Sequence, residues 1–164
     1  MRIGIDFDGV LFDTASFKKF LESKFPGYNE TYTRTNNIYD PRKHSEELGV
    51  SQESLFEVLD ESHQFLRKDI GLLGTLGYYE KIVVSRGPLA FQQRKIKNSG
   101  VTNYIDDFVI VKKEPKTVAN IDLLIDDNPD ELRSIDVPGF EFDTEHHSIQ
   151  QIIDFIKDQE QSND

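Results

Sequence analysis

The sequence predicts an α/β protein: a three-layer, Rossmann-like α/β/α sandwich around a mostly parallel five-stranded sheet, with a small helical cap inserted after the first strand. Three observations predict it. Short apolar runs alternate with stretches of helical periodicity, the order expected of βα units. The run Lys81-Ile82-Val83-Val84-Ser85 is apolar on both faces, as a covered parallel strand should be. The run Ile3-Gly4-Ile5 leads straight into Asp6 and Asp8, and acids are depleted inside strands.

The elements follow in order. The first strand is read over residues 2–7. Asp13 or Thr14 can cap a helix carrying Phe17, Phe20, Leu21 and Phe25, an apolar stripe at helical spacing, and Pro26-Gly27 ends it. Residues 28–41 are polar, aromatic and turn-rich, and read as loop. Ser51, with Glu53 in the first turn, starts a helix to about Lys68 with Leu55, Val58, Leu59, Ser62, Phe65 and Leu66 inward. The span between the first two strands is too long for one crossover helix. Residues 15–70 are therefore assigned to the cap, lying over the strand ends, and residues 1–14 and 71–164 to the core. Residues 71–77 form a short helix or turn. Further strands are read at 81–85, 108–111, 123–125 and 140–142. Pro88 opens a helix that Gly100 stops, and residues 115–120 are a short helix or loop. Asn128-Pro129 opens another helix, and Ile149, Ile152, Ile153 and Ile156 form the stripe of a last one over 147–158. The polar tail from Gln159 to Asp164 is expected to fray.

The bulk numbers exclude several classes. The 164 residues suffice for one domain with a real core and a small insert. No apolar run approaches the ~20 residues of a membrane span. Acids interrupt the first apolar run at once, so no signal-peptide layout is present, and a cytoplasmic location is expected. Cysteine is absent, which excludes disulfides and thiolate chemistry. The net charge of −11 disfavours a nucleic-acid partner, because backbone binding needs a basic surface. It leaves room for a small anionic substrate, since a bound cation and a few local Lys or Arg can dominate a pocket. Nothing in the composition marks an oligomeric state.

The chemistry lies at the strand ends. In an open parallel sheet the carboxyl ends of the strands face one edge, where ligands bind. The first strand delivers Asp6 and Asp8, which in extended chain point to one side, and Gly9 lets the chain turn away. The second strand delivers Ser85 and the fourth Asp126 and Asp127, with Lys116 just before it. Four carboxylates in one cleft disfavour each other's ionisation. Mg²⁺, a hard ion that takes oxygen ligands, is the remedy that suits them. Carboxylate, metal, lysine and hydroxyl together meet the needs of phosphoryl transfer.

The segments IDFDGVLFDT, IVVSRG, Lys116 and LLIDDNPD resemble the four ordered motifs of the haloacid dehalogenase-like superfamily of aspartate-nucleophile phosphatases. Within it, KTVANIDLLIDDNPDEL is similar to a stretch of the 5′(3′)-deoxyribonucleotidases. The resemblance implies a Mg²⁺-dependent phosphomonoester phosphatase acting on a small phosphorylated metabolite, such as a 5′-nucleotide or deoxynucleotide. It implies Asp6 as nucleophile and Asp8 as the acid that protonates the leaving oxygen and then activates water. Ser85 and Lys116 would hold the phosphoryl group. Mg²⁺ would be bound by Asp6, the Asp8 carbonyl and Asp127, with Asp126 helping through water or supporting bonds. Arg86, beside Ser85, either binds a further anionic group or pairs with the acids. Lys112 and Lys113 compete with Lys116 for its role.

The alternative function is a non-catalytic or regulatory protein that uses the same scaffold to bind a phosphorylated ligand or a protein partner. Dehalogenation is disfavoured by the acid at position 8, which suits a leaving group that needs a proton. Tyr28, Tyr32 and Tyr39 with Arg34 either stack on a base or sugar or pack the loop onto the cap. His44 and His63 read as surface residues of the cap, and His146-His147 as surface or capping residues, since adjacent histidines do not share a helix face.

Overall fold

The computed structural model describes residues 1–162. Five strands form one sheet: β1 (Arg2–Ile5), β4 (Glu80–Arg86), β5 (Asp107–Val111), β6 (Leu123–Asp126) and β7 (Gly139–Glu141). Their order is β5-β4-β1-β6-β7, and every pairing is parallel. Helices α4 (Leu89–Ser99), α5 (Pro129–Arg133) and α6 (Ile149–Ser162) connect or follow these strands. The predicted three-layer α/β architecture and its five parallel strands are therefore observed. β1 lies at the centre, and Ile5 is level with both Val83 and Ile125. That register puts Asp6 beside Val84 and Asp126 at one edge, with Ser85 one residue further along β4. β1 itself ends at Ile5, so Asp6 and Asp8 lie in the turn beyond the strand.

Between β1 and β4 run helix α1 (Thr14–Lys24), a hairpin of β2 (Arg34–Thr35) and β3 (Ile38–Tyr39), then helices α2 (Pro41–Leu48) and α3 (Gln52–Glu57). Two 3₁₀ segments follow, Val58–Phe65 and Ile70–Leu76. The loop expected over 28–41 thus contains a hairpin. Asn36 and Asn37 turn it with φ of 53° and 64°, the left-handed pair that a two-residue hairpin turn requires and that Asn tolerates. Helix α2 is an addition too. Asp40 caps it by accepting a bond from the Lys43 amide at 3.0 Å, and Pro41 opens it. The single helix expected from Ser51 to Lys68 is α-helical only to Glu57. Its inward residues Val58 and Ser62 with Leu59 and Phe65 include i, i+3 pairs, which three residues per turn satisfy as well. Asp13 caps α1 at 3.0 Å to the Ser16 amide. Helix α6 continues to Ser162, so residues 159–162 are helical where fraying was expected. Asn163 and Asp164 lie outside the described residues.

The chain returns to β1 at Phe65–Arg67. The Asp13 amide donates to the Phe65 carbonyl at 2.8 Å, and the Arg67 amide to the Leu11 carbonyl at 3.0 Å. Phe12 sits at this junction, fully buried, with ring centroids 4.8 Å from Phe7 and 5.2 Å from Phe17. One continuous apolar cluster includes Ile3, Ile5 and Val83 of the sheet and Phe17, Leu21 and Leu59 of the 15–70 segment. His44, expected at the surface, is fully buried instead. Its ring accepts from the Tyr39 hydroxyl at 2.7 Å and donates to the Tyr28 carbonyl at 2.9 Å. Burial pushes its pKa down, so this ring is neutral. Among the described residues, no helix is long and apolar enough to cross a membrane.

Phe12 joins the strand end to the segment above it through rings on both sides. Phe12→Ala is expected to cost about 3–5 kcal/mol of stability, as large-to-small core changes do. Urea unfolding, read as a lowered midpoint at unchanged slope, checks it.

Candidate active site

The adjacent ends of β4, β1 and β6 deliver Ser85, Asp6 and Asp126 to one place. Lys116 reaches them from the 3₁₀ turn Lys116–Ala119. Its ammonium donates to Asp6 Oδ1 at 2.8 Å and to Asp126 Oδ2 at 2.6 Å. All three side chains are buried, Lys116 to 2% exposure. Burial alone would lower the lysine's pKa, but the charges of Asp6 and Asp126 outweigh it and hold it above the ordinary value. Lys112 and Lys113 are exposed on the preceding turn and make no such contact. Of these three, Lys116 is therefore the lysine that meets Asp6 and Asp126.

Asp6, Asp126 and Asp127 each offer a carboxylate oxygen, all within 4.8 Å of one another. Burial raises the Asp6 pKa well above the usual carboxylate range; Lys116 opposes the rise, and the Asp126 and Asp127 charges add to it. Burial raises Asp127 as well. Asp126 is engaged on both oxygens, since Oδ1 accepts from the Asn128 amide at 2.9 Å. Asp127 is exposed to the cavity. Gly9 turns beneath it with φ of 77°, and a Cβ there would lie 2.2 Å from Asp127 Oδ2. Three crowded carboxylates, oxygen donors only, fit a small hard divalent cation such as Mg²⁺.

Asp8 faces the same cavity but has other partners. Its carboxylate accepts from Lys95 Nζ at 2.7 Å, Gln92 Nε2 at 2.8 Å and the Thr14 hydroxyl at 3.0 Å. Burial pushes its pKa up, yet Lys95 and these bonds prevail and bring it below the ordinary value. Gln92 also donates to Ser85 Oγ at 2.7 Å. That leaves the Ser85 hydroxyl hydrogen without an acceptor among the described residues. Arg86 lines the cavity, but Glu131 Oε2 holds its guanidinium at 3.0 Å and the Glu114 carbonyl at 2.9 Å. Its partner is thus a helix α5 acid and none of the four at the strand ends.

Gln92 and Lys95 were not singled out from the sequence, and Thr14 only as a possible helix cap. A signal existed for two of them. The buried stripe of α4 reads Phe91, Gln92, Lys95, Ile96, Ser99, so polar residues occupy an inward face.

No family model matches the sequence, and no curated protein matches it. Solved structures do match the fold. A haloacid dehalogenase-like family hydrolase of Xanthomonas campestris superposes with a TM-score of 0.59 at 14% identity, covering 90% of this chain and 85% of that one. A haloacid dehalogenase-like protein of Burkholderia xenovorans gives 0.63 at 18%, covering 79% and 75%. The L-2-haloacid dehalogenase of Xanthobacter autotrophicus gives 0.54 at 17%, covering 77% and 69%. The chain has the haloacid dehalogenase-like fold. That fold puts the four stretches IDFDGV, IVVSRG, Lys116 and LLIDDNPD around one cavity of about 560 Å³, roofed by Tyr32, Arg34 and Tyr39 of the 15–70 segment.

Lys95 holds Asp8 ionised, and this has a measurable consequence. The depressed Asp8 pKa contributes stability that is present above the unfolded value of about 3.9 and is lost as pH falls through the folded value. Lys95→Met is expected to move the Asp8 midpoint up, read by NMR titration of the carboxyl carbon. The stability gap between wild type and variant should narrow as pH falls below 4.

Proposed function

We propose that the protein is a Mg²⁺-dependent phosphomonoester phosphatase of the haloacid dehalogenase-like hydrolases, acting on a small phosphorylated metabolite through an aspartyl-phosphate on Asp6. The observation that carries this reading is the convergence of Asp6, Lys116, Asp126 and Asp127 at adjacent strand ends, with Asp8 and Ser85 opening on the same cavity. Mg²⁺, held by Asp6, the Asp8 carbonyl and Asp127 and supported by Asp126, would neutralise charge on the phosphoryl oxygens. Asp127 is favoured over Asp126 as direct ligand because both Asp126 oxygens already accept bonds.

The chain's own groups account for the rest. An Asp6 oxygen attacks phosphorus, and the bond from phosphorus to the ester oxygen breaks. Lys116 opposes the rise in the Asp6 pKa, as a bound cation would further, and its ammonium faces the incoming charge. The Ser85 hydroxyl, oriented by Gln92, donates to a phosphoryl oxygen. Asp8, held ionised by Lys95 when the cavity is empty, takes up a proton as the negative phosphate ester enters and raises its pKa, and gives that proton to the leaving oxygen. Asp8, now ionised and bonded to Lys95, takes a proton from water, whose oxygen attacks the aspartyl-phosphate. The bond from phosphorus to Asp6 breaks, releasing inorganic phosphate and restoring Asp6. The carboxylate at position 8 favours this chemistry over dehalogenation, because a halide leaves without a proton. A 5′-nucleotide or deoxynucleotide belongs among the substrates to be tried.

Turnover of phosphate esters in the presence and absence of Mg²⁺ tests the proposal. Asp6→Asn is expected to abolish turnover with the fold retained by circular dichroism; full activity in that variant contradicts the mechanism. Asp8→Asn is expected to lose ~10²–10⁴-fold on an alkyl phosphate. The loss in the first step should be smaller on p-nitrophenyl phosphate, whose leaving group needs no proton. Equal first-step losses on both esters, measured by rapid quench, would remove Asp8 from the acid role.

A further inference from the structure

The cavity is not uniformly acidic. Five carboxylates line it, Asp6, Asp8, Asp126, Asp127 and Glu131, and so do five cations. The lining is thus balanced in charge, although the chain as a whole carries −11. Three of the cations are held by the site's own acids: Lys116, Lys95 and Arg86. The other two, Lys18 of α1 and Arg34 of β2, have no carboxylate within ion-pair distance among the described residues.

Lys18 and Arg34 come from different elements and converge on one ring. Lys18 Nζ lies 5.7 Å, and the Arg34 guanidinium carbon 5.6 Å, from the centroid of Tyr32. Tyr39 stacks on Tyr32 with centroids 4.6 Å apart and planes 9° from parallel. The Tyr32 ring is therefore engaged on one side by Tyr39 and carries the two cations over it. The Tyr39 hydroxyl is tied to His44, which fixes this stack from beneath. Lys18, Tyr32, Arg34 and Tyr39 all line the cavity, so the stacked tyrosines hold two cations at its wall.

We propose that the substrate's leaving group carries a second anionic group, a carboxylate or a further phosphate, and that Lys18 and Arg34 bind it at the roof of the cavity while the phosphoryl group lies at the strand ends. The inference rests on the phosphatase reading above and narrows its substrate class. Arg presents a planar fork of donors and Lys a mobile point charge, a pair suited to either anion. Charge-assisted bonds are stronger than neutral ones, so an ester carrying the second anion gains contacts that a singly anionic ester does not make.

Four esters test it, assayed with Mg²⁺: phenyl phosphate, 4-carboxyphenyl phosphate, benzene-1,4-diyl bisphosphate and a deoxynucleoside 5′-monophosphate. Wild type is expected to show kcat/KM at least about tenfold higher for a doubly anionic ester than for phenyl phosphate, the size of one hydrogen bond to a charged group. Whichever of the two is preferred identifies the second group. In the Lys18→Gln, Arg34→Gln double variant that ratio should fall to near one, through KM more than kcat. A wild-type ratio near one, an unchanged ratio in the double variant, or preference for the mononucleotide overturns this inference while leaving the phosphatase reading intact. Absence of hydrolysis of all four esters overturns both.

Discussion

A buried ammonium bonded to two buried carboxylates is the interaction on which the site depends. Lys116 lies between Asp6 and Asp126 and sets one positive charge against both buried carboxyl groups. Taking such charges out of water costs several kcal/mol per ion, and only close geometry and mutual attraction offset it. Removing one partner would leave an uncompensated charge inside the protein. The sheet makes the arrangement possible. Parallel strands in the order β4-β1-β6 place three chain segments, more than a hundred residues apart at the extremes, at neighbouring ends. The backbone hydrogen bonds of the sheet set the spacing, and the lysine sets the charge.

Around that centre the polar groups divide into two sets. Asp6, Asp126, Asp127 and Lys116 form one, in which carboxylates crowd and protonation of Asp6 and Asp127 is favoured. Asp8, Lys95, Gln92, Thr14 and Ser85 form the other, in which a carboxylate is held ionised by donors on three sides. Gly9 sits where the two sets meet, and its positive φ lets the chain pass under Asp127. Carboxylates with such different surroundings are fitted to different tasks. The segment between β1 and β4 closes the cavity from above without separating from the core, since Phe12, Phe17 and Leu59 share one apolar cluster with the sheet.

Much of this was legible in the sequence, and for identifiable reasons. Buried parallel strands carry a signal that does not depend on context: apolar runs such as Ile82-Val83-Val84 and Leu123-Leu124-Ile125, each ending in polar residues. The acids at 6, 8, 126 and 127 stood out because strand ends seldom carry them without cause. The 15–70 segment was harder. Its hairpin is two residues per strand, too short for alternation to show, and its turn is Asn36-Asn37 where glycine would have announced it. His44 read as a surface residue because nothing local reveals that the Tyr39 hydroxyl and the Tyr28 carbonyl would enclose it. Gln92 and Lys95 were passed over because their partners, Asp8 and Ser85, lie far off in the chain or on another element. Arg86 was recognised as a cavity residue, but its partner Glu131 depends on how α5 docks after β6, which no local pattern encodes.

The proposed chemistry requires Asp6, just beyond the end of the middle strand, to become covalently phosphorylated in a Mg²⁺-dependent step. Acid quenching of the protein with a ³²P-labelled phosphate ester, followed by peptide mapping, tests it most directly. The expected outcome is an acid-stable, hydroxylamine-labile label on the peptide containing Asp6, formed only with Mg²⁺. Turnover with no trapped label on a rapid-quench time scale, or label on a residue other than Asp6, would contradict it.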